Sequence, residues 1–176
     1  MKSNIALIGF MGSGKSTVGK RLARRLGREF VELDRLIEER AGKSIAEIFR
    51  ERGEGGFREL EEELIKGVSE SMYDAVIACG GGAIVRPANV DRLRQSSHIV
   101  YLEVETATLQ DRLARSRKRP LLDRPDRERV IEELHAARCP FYEAAADITV
   151  KTGRRPFAAV ISEIIEKLGI DESQNR

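Results

Sequence analysis

The chain has 176 residues, of which 41% are hydrophobic and 34% are charged, and its formal net charge is +2 at pH 7. This length suits one domain with a core of its own, and this composition excludes an intrinsically disordered chain. No apolar run approaches the ~18 residues of a membrane span or resembles a signal peptide core, so we expect a cytoplasmic protein with no membrane partner.

The segment Gly9 to Thr17, with the sequence GFMGSGKST, matches the G-x-x-x-x-G-K-[ST] pattern of a P-loop at every fixed position. An apolar run at 5–8 precedes it, and apolar residues at helical spacing follow it as far as Gly27, which predicts a strand, a loop and a helix. Backbone N–H groups of such a loop hold phosphate oxygens. We therefore predict binding of a nucleoside triphosphate, with Lys15 on its β- and γ-phosphates and Ser16 as a Mg²⁺ ligand. The predicted nucleotide contacts along this segment are Gly12, Ser13, Gly14, Lys15, Ser16 and Thr17.

A second short strand is predicted from Phe30 to Asp34, so that it ends on a carboxylate. Ligands of an open parallel sheet bind beyond the carboxyl ends of its strands, and we therefore expect Asp34 to face the same crevice as the P-loop. A carboxylate at that place is suited to accept the proton of a hydroxyl that attacks a phosphoryl group. Asp34 is the predicted catalytic base.

Two further helices are predicted beyond Gly42. The pattern Ser44-Ile45-Ala46-Glu47 is a capping box that starts the first of them, and Gly53 is predicted to end it. The second runs from Phe57 to Val68 with an apolar stripe on one face. We expect its charged residues to face mostly solvent; they are Arg58, Glu59, Glu61, Glu62 and Glu63.

Three consecutive glycines, Gly80, Gly81 and Gly82, follow a predicted buried strand from Ala75 to Cys79. Glycine leaves bare backbone at the crevice, which permits the close approach of a ligand. The alternative is a simple connection to the helix that is predicted to begin near Pro87, because glycine also serves turns. We favour the ligand contact.

A fourth strand, Ile99 to Leu102, and a helix lead into the densest run of basic residues, from Arg112 to Arg129. Nucleic-acid binding is one explanation of such a run. The run lacks interleaved aromatic residues, however, and the chain is nearly neutral, whereas a nucleotide kinase needs arginines over its phosphates. We therefore predict a mobile lid at 114–125 that closes on bound nucleotide, and no nucleic-acid partner.

The last part of the chain supplies Arg138 on a helix that Pro140 ends or kinks, a fifth strand at 148–150 and a final helix opened by Pro156. Strands separated by helices throughout predict an α/β fold of three layers, in which helices cover both faces of a five-stranded parallel sheet. We assign residues 1–170 to this single domain and 171–176 to a frayed tail.

Phosphoryl transfer needs a phosphate cradle, a metal ion, an acceptor site and cationic side chains, and each of these has a candidate here. The main alternative from another class is a switch GTPase. Its base-reading N-K-x-D pattern and its switch D-x-x-G pattern are both absent from the chain. An ATP-dependent small-molecule kinase is therefore favoured.

Beyond the P-loop, five further motifs occur in order: the Leu-Asp pair at Asp34, GEGGFRELE from Gly53, GGGA from Gly80, RPLL from Arg119 and RCPFY from Arg138. With these motifs the chain resembles the shikimate kinase family over nearly its whole length. The resemblance implies a P-loop fold of the nucleoside monophosphate kinase type with strand order 2-3-1-4-5. It also implies transfer of the ATP γ-phosphate to the 3-hydroxyl of shikimate, and we expect a monomer.

The resemblance also implies roles for single residues. The implied shikimate contacts are Asp34, Arg58, Gly80, Gly81, Gly82 and Arg138, with the two arginines on the shikimate carboxylate. Arg119 is implied to meet the ATP phosphates from the lid, and it completes a catalytic set with Lys15 and Asp34. Arg112 resembles the arginine that stacks on adenine, and Arg155 resembles a further nucleotide contact.

One position departs from the family pattern, because Glu32 stands where an Asp usually meets Mg²⁺ through water. The longer side chain can still reach a water ligand, so Ser16 and Glu32 are the predicted metal residues. A gluconate or nucleoside monophosphate kinase is the alternative among kinases. The FRELE and GGGA motifs argue against both.

Overall fold

A computed structural model describes residues 2–114, 122 and 125–171 of the chain. Within these residues the strands form one parallel sheet with the order β2-β3-β1-β4-β5, so the order that the resemblance implied is confirmed. The strands are β1 (Asn4–Ile8), β2 (Glu29–Glu32), β3 (Ala75–Ala78), β4 (Ser97–Glu103) and β5 (Ile148–Lys151). The α-helices of the same ranges are α1 (Lys15–Leu26), α2 (Leu33–Ala41), α3 (Ile45–Ser71), α4 (Pro87–Ser96), α5 (Thr106–Leu113), α6 (Arg127–Ala145) and α7 (Phe157–Leu168), and a short 3-10 helix spans Ala83–Val85.

The sheet separates two apolar layers, because successive side chains of a strand point to opposite faces. On one face Leu7 and Val100 pack with Leu22 of α1 and Ile164 of α7. On the other face Ile8 and its neighbours pack against residues of α2 to α6. The fold therefore has the predicted three layers, and the sheet lies in the middle with both faces buried.

Several helix ends lie where local signals placed them. Helix α1 ends at Gly27, whose φ of 63° is left-handed and whose N–H bonds back to the last turn. Ser44 and Glu47 make both hydrogen bonds of the capping box at the start of α3. Pro87 occupies the first turn of α4, and Pro156 directly precedes α7. These signals work because each is satisfied by residues close in the chain.

One predicted boundary is wrong, and at a second position the structure excludes one of two predicted alternatives. Strand β2 ends at Glu32 and α2 begins at Leu33, so Asp34 lies in the first turn of a helix and not at the end of a strand. An acidic residue is stabilised there by the positive end of the helix dipole. Helix α6 runs past Pro140 to Ala145, so this proline does not end it. The predicted lid at 114–125, its Arg119 and the tail at 171–176 fall largely or wholly outside the described residues.

Helix α3 contains a break at Gly53, where φ is 68° and ψ is −176°. The prediction that a first helix ends at Gly53 is therefore correct for the backbone, although helix resumes at once. In the described ranges, no helix combines the length and apolar character that crossing a membrane requires.

The break at Gly53 can be tested against Gly67 of the same helix, since a Cβ at either position would meet no atom within 4 Å. The conformation of Gly53 is almost restricted to glycine, so Gly53→Ala should lower the free energy of unfolding by about 1–3 kcal/mol. Gly67 is helical, so Gly67→Ala should raise it by about 0.5–1 kcal/mol. Urea denaturation measures both, and equal effects of the two changes would contradict a strained turn at Gly53.

Candidate active site

The P-loop curls between β1 and α1 around the ammonium of Lys15. Lys15 Nζ donates to the carbonyl oxygens of Gly9 at 2.7 Å and Phe10 at 2.9 Å. Gly12 and Gly14 have φ of 80° and 94°, which other residues rarely adopt. Because an ammonium has three N–H donors, Lys15 is placed to exchange these carbonyl contacts for phosphate oxygens.

A cavity of about 350 Å³ opens in front of this loop, within the size range of small-molecule sites. It brings together most of the residues that were predicted on the nucleotide and metal side, and two of the predicted glycines. Those that line it are Gly12, Gly14, Lys15, Ser16, Thr17, Glu32, Asp34, Gly80, Gly81 and Arg112. Asp34 reaches it from the first turn of α2, so its predicted location at the crevice holds although its predicted secondary structure does not.

Phe157 also lines the cavity, although sequence reasoning did not select it. It is the first residue of α7, and its ring lies against the P-loop, 3.7 Å from where a Cβ of Gly14 would be. Arg21 of α1 lies over the same ring, with its guanidinium carbon 4.9 Å from the ring centroid. The only sequence signal for Phe157 was its position directly after Pro156.

The predicted metal residues meet at the floor of this cavity. The Ser16 hydroxyl donates a hydrogen bond to the Glu32 carboxylate, which spans the P-loop and the end of β2. A hydroxyl and a carboxylate are the hard oxygen donors that Mg²⁺ prefers, so the pair fits this ion. Among the described residues no three His, Cys, Asp or Glu side chains cluster as a metal site. Phosphate oxygens and water would therefore have to supply the remaining ligands.

The glycine run after β3 lies against the predicted acceptor side chains. A Cβ on Gly80 would lie 2.7 Å from Glu61 Oε1 and 3.0 Å from Asp34 Oδ1, and a Cβ on Gly82 would overlap the Arg58 guanidinium. None of the three glycines has a positive φ. Glycine is therefore required here because neighbouring side chains leave no room for a Cβ, and not because of the backbone conformation. This favours the interpretation as a ligand site over that as a simple turn.

Arg58 and Glu61 are buried, so they are exceptions to the expectation that the charged residues of this helix mostly face solvent. Only 9% of Arg58 and 1% of Glu61 is exposed, and Arg58 Nη1 donates to Glu61 Oε2 at 2.7 Å. Arg58 Nη2 also donates to the more exposed Glu54 at 3.3 Å. Helix α3 packs this part of its surface under the glycine run, and the pairing offsets the cost of removing both charges from water. Glu61 was missed as a site residue, although its spacing of three from Arg58 was a signal.

Arg138 closes the other side of the same region. It is 5% exposed, and its Nη1 lies 3.5 Å from where a Cβ of Gly81 would be. Its guanidinium carbon lies 5.8 Å from the centroid of the Phe10 ring in the P-loop. Burial lowers the pKa of Arg138, which is the expected cost of placing a cation there. Arg58 and Arg138 thus both lie against the glycine run, and two guanidinium groups there suit a site for an anion.

The remaining predicted nucleotide contacts separate into two groups. Arg112 donates to the carbonyls of Gly12, at 2.9 Å, and Gly153, so it ties the P-loop to the loop after β5. Arg155 instead donates to the Lys151 carbonyl and to Glu163, at 2.8 and 2.6 Å. It lines a separate cavity of about 540 Å³, so the structure does not gather it with the P-loop.

Comparisons with known proteins agree with this geometry. The family model named shikimate kinase matches residues 11–169. A shikimate kinase of Symbiobacterium thermophilum is 46% identical over 168 residues, which cover 94% of this chain and 95% of the relative. The solved shikimate kinase of Acinetobacter baumannii in complex with shikimate has a TM-score of 0.91 at 36% identity, covering 96% of this chain and 93% of that one. The solved shikimate kinase of Bacteroides thetaiotaomicron has a TM-score of 0.85 at 35% identity, with coverages of 96% and 99%.

The burial of Glu61 predicts a pH dependence of stability. Burial raises the pKa of its carboxyl above the ordinary 4.5, although the Arg58 charge opposes the shift. The folded state favours the protonated Glu61 carboxyl. Its protonation therefore stabilises the fold at pH values below the pKa of Glu61 in the unfolded chain, and this stabilisation is lost as the pH rises through its pKa in the folded protein. From pH 4.5 upward the free energy of unfolding should therefore fall relative to Glu61→Gln, by up to about 1.4 kcal/mol per pH unit.

Glu62 is the matched control, because it is the next residue and its pKa is shifted the other way. Hydrogen bonds from Arg86 and then Arg92 lower the pKa of Glu62. The ionised Glu62 carboxylate therefore stabilises the fold at pH values above the pKa of Glu62 in the unfolded chain, and this stabilisation is lost as the pH falls through its pKa in the folded protein. Urea denaturation of the parent, Glu61→Gln and Glu62→Gln from pH 3 to 7 measures both trends. Trends of the same sign would contradict the assignment of a raised pKa to Glu61.

Proposed function

This chain belongs to the shikimate kinase family, and we propose that it transfers the γ-phosphate of ATP to the 3-hydroxyl of shikimate, giving shikimate 3-phosphate and ADP. The observation that carries this proposal is that the loops after β1 and β3 place two sites side by side. One is a phosphate cradle with Lys15, and the other is an acceptor region in which Asp34 and two buried arginines lie against the glycine run. The relative from Acinetobacter baumannii was solved with shikimate, which supports the choice of acceptor.

In this proposal each residue has a role that its place supports. The P-loop backbone and Lys15 hold the β- and γ-phosphates, and they stabilise the charge that develops during transfer. Asp34, at the edge of the cavity, accepts the proton of the attacking hydroxyl. Arg58 and Arg138 bind the carboxylate of the acceptor through their planar forks of N–H donors.

We propose that ATP reacts as its Mg²⁺ complex, with Ser16 and Glu32 holding the metal ion. The ion, when bound, neutralises charge on the β- and γ-phosphates. Within this chain the Ser16 hydroxyl orients the Glu32 carboxylate toward the cavity, which supports the assignment. Glu32 takes the position of the family's usual Asp with a side chain one methylene longer.

The nucleotide contacts beyond the P-loop are also proposals. Arg112 lies between the P-loop and the loop after β5, which suits a guanidinium that stacks on adenine. Arg155 needs a change of side-chain position to join it. Arg119 and the proposed lid at 114–125 rest on the resemblance of RPLL to the family pattern.

We further propose that residues 1–170 act as one domain, as a cytoplasmic monomer on small molecules, with neither nucleic acid nor membrane as partner. The net charge of +2 supports this proposal, because nucleic-acid binding needs a large positive excess. The two cysteines are free, and burial raises the pKa of the Cys79 thiol to about 12, as expected for a reduced packing residue.

An acceptor panel tests the main proposal against a gluconate or nucleoside monophosphate kinase. ADP release from MgATP is measured with shikimate, gluconate, AMP, CMP or water alone. We expect stimulation by shikimate only.

Lys15→Ala should lower turnover by roughly 100- to 1,000-fold or more, because it removes a positioned charge from the transferring phosphoryl group.

The far-ultraviolet circular dichroism of Lys15→Ala should match that of the parent, since the bonds from its ammonium to Gly9, Phe10 and Ser13 lie within the loop itself. Stimulation by another acceptor, or near-normal turnover of Lys15→Ala, would contradict the proposal.

The metal assignment is tested by Glu32→Gln. A neutral amide attracts the cation less than a carboxylate does, so half-maximal activity should need on the order of 10-fold more Mg²⁺. Glu32→Asp should stay close to the parent, and Glu29→Gln, an exposed change on the same strand, should have no effect. An unchanged Mg²⁺ dependence of Glu32→Gln would show that Glu32 does not help to hold the metal ion.

A further inference from the structure

Tyr142 presents a buried hydroxyl that the proposed reaction does not use. It lies on α6 one turn after Arg138, and none of its surface is exposed. Its ring stacks on that of Tyr101, with centroids 5.1 Å apart and planes at 21°. A phenylalanine would serve this stacking equally well, whereas a buried hydroxyl costs free energy unless it is hydrogen-bonded. The hydroxyl therefore needs its own explanation.

The Tyr142 hydroxyl lies against two parts of the proposed acceptor site. It donates a hydrogen bond to the carbonyl oxygen of Gly81. The Arg138 guanidinium is near enough for its charge to act on the pKa of the phenol, and its Nη1 lies 3.5 Å from where a Cβ of Gly81 would be. The single hydrogen of the phenol goes to Gly81, so the lone pairs of the phenol oxygen are left for Arg138, which can only donate.

The protonation state of this phenol supports the same arrangement. Burial raises the pKa of Tyr142 well above its ordinary value, although the Arg138 charge opposes the shift. The hydrogen that reaches Gly81 is therefore present at any pH at which a kinase works. Gly81 shares its peptide plane with the N–H of Gly82, because the peptide bond is planar and trans. Holding the Gly81 carbonyl therefore also orients the Gly82 N–H.

We propose that Tyr142 is a positioning residue that sets the Arg138 guanidinium and the Gly81–Gly82 peptide as one unit against the carboxylate of the acceptor. The inference rests on the proposed function, because it takes shikimate as that acceptor. A planar guanidinium binds a carboxylate well only in a narrow range of orientations, so a fixed second partner sharpens recognition. The phenol, fixed by its hydrogen bond to Gly81, supplies that partner.

The change Tyr142→Phe removes only the hydroxyl, and Tyr101→Phe is its matched control. Tyr101 contributes the other ring of the stack, but its hydroxyl lies 3.8 Å from Cys139 Sγ. Because the carboxylate is bound alike before and during phosphoryl transfer, Tyr142→Phe should raise the KM for shikimate about 10-fold with a smaller change in kcat. The KM for MgATP should stay within about twofold, and Tyr101→Phe should leave both values near those of the parent.

Two further readouts separate positioning from packing. Tyr142→Phe should lose most of the preference for shikimate over its methyl ester, since the ester lacks the charge that Arg138 binds. In an Arg138→Ala background, Tyr142→Phe should raise the KM for shikimate by less than about twofold, because the guanidinium that Tyr142 positions is absent. Affinity is measured directly by isothermal titration calorimetry, since the chain has no tryptophan to report binding.

The proposal is overturned if Tyr142→Phe keeps the parent KM and ester preference, if Tyr101→Phe shows the same losses, or if the effects of Tyr142→Phe and Arg138→Ala add. Should Tyr142→Phe not fold, 3,5-difluorotyrosine at position 142 changes the phenol with little change in shape, and an unchanged shikimate KM would then overturn it. A parent that does not phosphorylate shikimate contradicts the proposed function itself, which keeps the two failures distinct.

Discussion

The structure of this site depends on a backbone contact between the loops that follow β1 and β3. The two strands are neighbours in a parallel sheet, so the chain leaves both at the same edge, and Cys79 N still donates to Leu7 O at 3.0 Å. Beyond that bond a Cβ on Gly81 would lie 3.2 Å from Met11 N in the P-loop. Any larger side chain would push the loops apart. The distance between the phosphate cradle and the acceptor region is therefore set by bare backbone, which does not adjust as a side chain would.

Around this contact the protein buries charged side chains. Arg58 and Glu61 form a hydrogen-bonded ion pair beneath the glycine run, whereas Arg138 lies over the face of Phe10 and near the phenol of Tyr142. Each arrangement shields a guanidinium from solvent and fixes its orientation. A charge that is shielded from water interacts more strongly with an anion. The raised pKa of Glu61 and the lowered pKa of Arg138 show that burial is unfavourable for both charges. This stability cost is tolerable where a ligand is to be recognised by charge.

The nucleotide side is held together by contacts between segments far apart in the chain. Arg112 from the end of α5 reaches both Gly12 and Gly153, and the Thr152 hydroxyl donates to the Ser13 carbonyl at 3.3 Å. These bonds tie the P-loop to the loop after β5, on the opposite side from the glycine run. The P-loop is therefore held on one side by the glycine run after β3 and on the other side by the loop after β5.

The sequence by itself determined the P-loop, the helix that follows it, the capping box at Ser44 and the break at Gly53, because each depends on residues within a few positions of one another. The strand order and the proposed acceptor residues came from resemblance to a family, which local patterns could not supply. Only the tertiary structure decided that Asp34 lies on a helix, that Arg58 and Glu61 are buried, that Arg155 lies apart from the P-loop cavity and that the Tyr142 hydroxyl bonds to Gly81. Burial and pairing depend on what packs against a residue, and those partners come from strands and helices tens of residues away.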